Sequence, residues 1–255
     1  MSVFPTEIYG IIAEHVSSRR DLVNLISTST TVHAGAECAL YRTISHLRYR
    51  PASLDALLDR LSTTRRLSLS VRSLHLLFLE PISNSTQTKL AAVLRATNNL
   101  RDLRTNVCNL KHETFTRGCT FRLHRFECSN LSKFLEDTFL PNQPLIKHLS
   151  VRTYDTIAPL PWGILPRLVT LECPAKLAVA LNITRRPIKR LLWRSGEYLF
   201  NGPPYGPYPT LMVLILIDYP DEYNLWHNCP NLRLLECYIK LNVGRTFIPT
   251  SPRDR

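Results

Sequence analysis

The sequence predicts an α/β solenoid: a short helical module followed by an array of repeating strand units that build one curved parallel sheet. Three observations carry that expectation. A phrase with apolar residues at a first position and three and five places on recurs at Val71/Leu74/Leu76, Leu100/Leu103/Thr105, Leu123/Phe126/Cys128, Ile146/Leu149/Val151, Leu168/Leu171/Cys173, Ile188/Leu191/Trp193, Leu211/Leu214/Leu216 and Leu232/Leu235/Cys237. Its steps are 29, 23, 23, 22, 20, 23 and 21 residues, a self-similarity that marks stacked supersecondary units. Residues 1 to 47 lack the phrase and read instead as helices, with Pro or Asn closing the segment before many of the later strands.

Within residues 1 to 47, Pro5 starts a helix whose apolar positions Ile8, Ile11, Ile12 and Val16 fall on one stripe, and Glu7 sits in its first turn where the helix dipole favours an acid. Ser18 and Asp21 have the spacing of a capping pair ahead of Leu22, Leu25 and Ile26. A third helix spans roughly 32 to 40, with Val32, Ala36, Ala39 and Leu40 on one side. Three helices this short bury little between them, so the module is expected to lean on another part of the chain or on a partner.

The array is expected to begin at once, with a strand over 43 to 49 in which Ile44 and Leu47 keep the three-residue spacing. Ser53 caps an outer helix bearing Leu54, Leu57, Leu58 and Leu61. Later outer segments are 86 to 97, 131 to 139, 176 to 181 and 221 to 227, and Asn98, Pro144, Pro166, Pro187, Pro209 and Pro230 set the extended lead into the strands. Residues 62 to 70 read as a solvated connector, in which Arg65-Arg66-Leu67-Ser68 resembles a site for basophilic kinases. Residues 153 to 165 and the Pro/Tyr stretch 202 to 209 are loops, and 244 to 255 a disordered basic tail. The domain division is therefore 1–47, 48–243 and 244–255.

Such units are those of leucine-rich repeats, each contributing one strand. The first module is familiar as well. Phe4-Pro5-Thr6-Glu7-Ile8, Asp21-Leu22-Val23-Asn24-Leu25, Ser29 and Leu40-Tyr41-Arg42 resemble the F-box motif, and with the repeats behind them look most like the fungal F-box proteins with leucine-rich repeats. That resemblance implies docking on the adaptor subunit of an SCF-type cullin-RING ubiquitin ligase, and through it on a cullin, while the repeats hold a protein substrate. By position in the motif it assigns the adaptor surface to Pro5, Ile8, Ile12, Leu22, Leu25 and Leu40. Without adaptor docking, the same helices would serve as a cap on the array and the chain as an interaction scaffold.

Strand alternation turns the residues two, four and six places after each phrase's start outward. The target-binding candidates on that face are Arg104, Arg125, Glu127, His148, Arg152, Glu172, Arg190, Arg194 and Tyr238. Their arginines favour an acidic or phosphorylated segment, which guanidinium groups grip with two parallel hydrogen bonds. The strand around 211 to 217 is apolar on both faces, and its outward side is expected to lie under the tail or the Pro/Tyr loop.

Charge and composition narrow the alternatives. The formal net charge is +12, of which residues 1 to 47 carry −1, so the array holds the whole excess. Its Lys and Arg are spread without aromatic interleaving, which makes nucleic acid an unfavoured partner and acidic protein a favoured one. Seven cysteines without paired spacing, three of them at the same repeat position, read as small buried side chains. Neither a leader nor a membrane-length apolar run is visible, so an intracellular chain, cytoplasmic or nuclear, is expected. Cys108, His112, Cys119 and His124 have zinc-ligand chemistry but not zinc-ligand spacing, so no metal and no cofactor are expected. Phosphate loops, nucleophile elbows and paired carboxylates are missing, and the chain reads as a binding protein rather than an enzyme.

Overall fold

The computed structural model describes residues 5–46, 51–78, 82–106, 117–154, 159–161, 163–194, 208–217 and 229–238. The expected segments at 202 to 207, 221 to 227 and 244 to 255, and Leu47, lie outside them. The chain divides into two compact units, Met1–Leu123 and His124–Arg255. Each is an α/β unit whose described strands run parallel to one another, three in the first and six in the second.

The first unit opens with helices α1 (Thr6–His15), α2 (Arg19–Ile26) and α3 (Thr30–Arg42). Ser18 caps α2 by accepting from the Asp21 amide at 3.3 Å, as its spacing predicted, and Ser29 caps α3 through the Val32 amide at 3.2 Å. Their small core is Ala13, Leu22, Val32 and Ala36, bordered by Tyr9, Val16, Leu25, Ile26, Ala39 and Leu40. Helices α1 and α3 meet through two glycines, and a Cβ added to Gly35 would stand 2.8 Å from the Gly10 Cα.

Helix α3 passes without a break into β1 (Thr43–His46), which is followed by α4 (Pro51–Thr63), α5 (Arg65–Ser70), β2 (Ser73–Leu76), α6 (Asn84–Ala96) and β3 (Asp102–Thr105). Equivalent repeat positions face one another in register, Thr43 with Ser73 and Ser73 with Asp102. Leu74, Leu76 and Leu103 are fully buried while Ser73, His75, Asp102 and Arg104 stay half-buried, the alternation that the phrase predicts. Asn106 extends the sheet beyond its last backbone pair: its side chain accepts from the Phe78 amide at 2.6 Å and donates to the Phe78 carbonyl at 2.7 Å.

Residues 62 to 70 are not a solvated connector. Helix α5 occupies most of that stretch and buries Leu67 and Ser68 completely, with the Ser68 hydroxyl donating to the Arg65 carbonyl at 2.9 Å. The apolar pair Leu67 and Val71 draws the segment inward, so the hydroxyl of the kinase-like motif is closed off in the folded protein.

The second unit contains β4 (Arg125–Asn130), a π-helical turn (Leu135–Phe139) running into a 3-10 turn (Leu140–Asn142), β5 (His148–Thr153), β6 (Thr170–Pro174), α7 (Ala175–Ala180), a second 3-10 turn (Ile183–Arg185), β7 (Arg190–Arg194), β8 (Val213–Ile217) and β9 (Leu234–Tyr238). Sheet order follows chain order, with Arg125, His148, Thr170, Arg190, Val213 and Leu234 forming one row across it. Leu149, Leu171, Leu191 and Leu214 line the buried side, and Phe126 meets Phe139 edge to face at 5.2 Å between ring centres. The outward rule fails at three places, for Ser150 and Ile215 are buried at 9% and 6% exposure and Pro174 is buried as well. In register Ser150 lies between Glu127 and Glu172, and Ile215 between Leu192 and Glu236.

Arg186 is a buried cation held by backbone rather than by acid. Its Nε donates to the Leu181 carbonyl at 2.5 Å, and Nη1 to the carbonyls of Ile164 and of Leu165, the latter at 3.2 Å. These carbonyls are left over where α7 ends and where Leu165 adopts a positive φ of 55°. Burial holds the Arg186 pKa below its ordinary value.

Candidate interaction surfaces

Helix α1 is apolar on more than one side, and the side used for packing is not the isoleucine stripe. Ala13 is buried and Tyr9 and Val16 partly so, whereas Ile8, Ile11 and Ile12 are 38%, 55% and 48% exposed. Val23 of α2, at 48%, completes the exposed apolar set in this module. Among the residues that the F-box resemblance assigned, Pro5, Ile8 and Ile12 are exposed, Leu22 is buried in the helical core, and Leu25 and Leu40 are half-buried against it. Ile11 and Val23 were not in that set. Ile11 shows in the sequence as a member of the isoleucine stripe, and Val23 only as a bulky apolar residue next to Leu22.

Two clefts border the helices, with the Glu14–Arg42 ion pair (2.7 Å) contributing to both. One of about 300 Å³ is lined by Gly10, Ile11, Gly35, Cys38 and Leu69 among others, and one of about 540 Å³ by Ala13, Val16, Leu22 and Leu40. The hydrogen bond from Arg42 holds the Glu14 carboxyl below the usual carboxylate range.

A buried carboxylate joins this module to the repeats. Glu37 on α3, whose side chain is 6% exposed, accepts from Arg60 of α4 at 2.5 Å and from Arg66 of α5, and Arg66 also donates to the Ala34 carbonyl at 2.7 Å. Burial alone would raise the Glu37 pKa. The hydrogen bonds and positive charges of Arg60 and Arg66 outweigh it and hold the carboxyl below its ordinary range. The module leans, as its size predicted, on the helices of the first repeat.

On the outward face of the first unit, Ser73, His75, Asp102 and Arg104 form one cluster. His75 Nε2 lies 2.9 Å from Ser73 Oγ and 3.3 Å from Asp102 Oδ2, and Arg104 donates to both Asp102 oxygens at 3.3 and 3.2 Å. Serine, histidine and aspartate here do not make a relay. Hydroxyl and carboxylate share one ring nitrogen, whereas proton transfer through an imidazole needs one on each.

In the second unit, His148, Arg152 and Arg190 are exposed and Arg125, Glu127 and Glu172 are half-buried, all on strands β4 to β7. The guanidinium groups of Arg125, Arg152 and Arg190 have no hydrogen-bond or ion-pair partner among the described residues. The side chains of Arg194 and Tyr238 lie outside the described ones, although their backbones close β7 and β9.

Four of the described cysteines are held as neutral thiols. Burial pushes the Cys119 and Cys229 thiols up to about 11 and those of Cys128 and Cys173 further still. Cys108 and His112 lie outside the described residues. Among those described, no group of His, Cys, Asp and Glu could hold a metal ion, and no helix is long and apolar enough to cross a membrane.

No family model matches the chain, and no curated protein matches it.

Proposed function

We propose that this protein is the substrate-recognition subunit of an SCF-type ubiquitin ligase: α1 to α3 act as an F-box that docks on the ligase adaptor, and a leucine-rich-repeat array presents a protein target. The observation that carries the reading is the exposed stripe Ile8, Ile11 and Ile12 on a helix that already packs another side. Three isoleucines left in water on one short helix are costly for a free domain and are the mark of a docking surface. The Glu37 clamp supports it, since a tethered module transmits its position to the repeats that hold the target. The protein's own contribution is then effective concentration, bringing target lysines to the charged conjugating enzyme, with no bond chemistry on this chain.

Binding of the full-length protein to purified adaptor tests the proposal. We expect direct association, weakened about tenfold or more by Ile8→Ser with Ile12→Ser, because truncating exposed anchors removes buried apolar area without touching the core. No association, or association indifferent to those changes, would overturn it in favour of an interaction scaffold that uses the helices as a cap.

A further inference from the structure

Aligning the strands reveals a row that their one-dimensional spacing conceals. One residue precedes each strand of the second unit and joins its neighbours by backbone hydrogen bonds. The Lys147 amide donates to the His124 carbonyl at 2.8 Å, Val169 to Lys147 at 2.9 Å, Lys189 to Val169 at 2.9 Å, Met212 to Lys189 at 2.8 Å and Arg233 to Met212 at 2.8 Å. Lys147, Lys189 and Arg233 are exposed, and their side chains have no hydrogen-bond or ion-pair partner among the described residues. Between them stand Val169 and Met212, both half-buried. Cation and apolar residue therefore alternate along the strand-start rim from β5 to β9.

Strands lie about 4.8 Å apart, so the three cations are spaced at about 10 Å and span about 19 Å, with an apolar side chain midway in each gap. A helix rises about 10.5 Å in seven residues and about 5.4 Å per turn. A helical segment laid along the rim with an acid at every seventh position and an apolar residue one turn further on would meet each cation and each apolar side chain in turn. At the β8–β9 end, Leu234 is 45% exposed beside half-buried Val213, which widens the apolar surface there. A nucleic-acid strand fits less well. It has no apolar group to match Val169 and Met212, and the described residues of the rim include no Phe, Tyr or Trp on which bases could stack.

We infer that the strand-start rim of the second unit is a binding strip for an acidic amphipathic segment of a protein partner, with Lys147, Lys189 and Arg233 pairing its carboxylates and Val169 and Met212 seating its apolar residues. If the receptor reading above is right, this segment belongs to the target; the chemistry of the rim is independent of adaptor docking. Loss of adaptor binding and loss of rim binding are thus separate failures, read in separate assays.

The test uses the full-length protein and labelled 20-residue peptides in fluorescence anisotropy. One peptide carries Glu at positions 3, 10 and 17 and Leu at positions 6, 7, 13 and 14 in an Ala-rich background; the second has the same composition scrambled; the third probe is a single-stranded oligouridylate. We expect the patterned peptide to bind more tightly than the scrambled one, and the affinity to fall about tenfold or more in Lys147→Glu/Lys189→Glu/Arg233→Glu. Raising salt should weaken binding of the unaltered protein. Met212→Ser, which keeps every charge, should weaken it severalfold, and Lys133→Glu, an exposed change away from the rim, should leave it unaltered. Equal binding of the two peptides, preference for the oligouridylate, or indifference to the triple reversal with the fold intact by circular dichroism would each overturn the inference.

Discussion

Replacing Glu37 by Gln keeps the shape of the side chain and removes the charge that Arg60 and Arg66 grip. Breaking a buried ion pair costs about 3–5 kcal/mol when the remaining charge stays sealed from water. Here the arginine side chains are 55% and 46% exposed, so both can turn to solvent once released, and the cost drops toward that of a partly screened pair. We place it at about 2 kcal/mol, below the buried limit and above the ~1 kcal/mol ceiling of a wholly exposed pair. For a unit of this size that is a fall in melting temperature of about 8 °C. The pH dependence has a definite sign. Because the folded pKa is depressed, the stabilisation is present above the unfolded value of about 4.3 and is lost as pH falls through the folded one. Urea unfolding at pH 7 and at pH 3 should therefore show a larger difference for the unaltered protein than for Glu37→Gln. A variant equal in stability at pH 7, or one with an unchanged pH dependence, would refute the clamp.

Other changes probe the packing. Gly35→Ala forces a methyl group against the Gly10 backbone at 2.8 Å and should cost about 1–3 kcal/mol, whereas a Cβ at Gly10 meets nothing within 4 Å, so Gly10→Ala should be neutral or stabilising by up to about 1 kcal/mol in thermal melts. Leu171→Asp places a carboxylate at a fully buried position between β5 and β7 and should cost more than about 4 kcal/mol, seen as loss of cooperative unfolding in the second unit; retention of full stability would mean that the strand register is wrong.

Position along the chain was enough to place the strands, because a parallel stack repeats one local pattern and each unit packs by the same rule: Leu74, Leu103, Leu149, Leu171 and Leu214 are buried where the phrase puts them. The cap at Ser18 was equally local. Helix α1 was not decidable in this way. Its apolar residues cover more than half of its circumference, and periodicity cannot say which side becomes core; the close approach of Gly10 and Gly35 does, turning Ala13 inward and leaving Ile8, Ile11 and Ile12 outside. The stretch 62 to 70 is polar by composition, with only Leu67 and Leu69 against seven polar residues, while burial depends on what packs against it.

What the sequence by itself determined is thus the repeat, its register and most of the outward positions, all consequences of a two-residue strand period that any segment carries within itself. What only the tertiary structure decided is everything that joins residues distant in the chain: the Glu37 clamp across 23 and 29 residues, the choice of face on α1, and the rim in which lysines some forty residues apart become neighbours but one. The first two depend on helices packing against one another, and the rim on parallel strands lying about 4.8 Å apart, a spacing that brings side chains together without any trace of it in their local pattern.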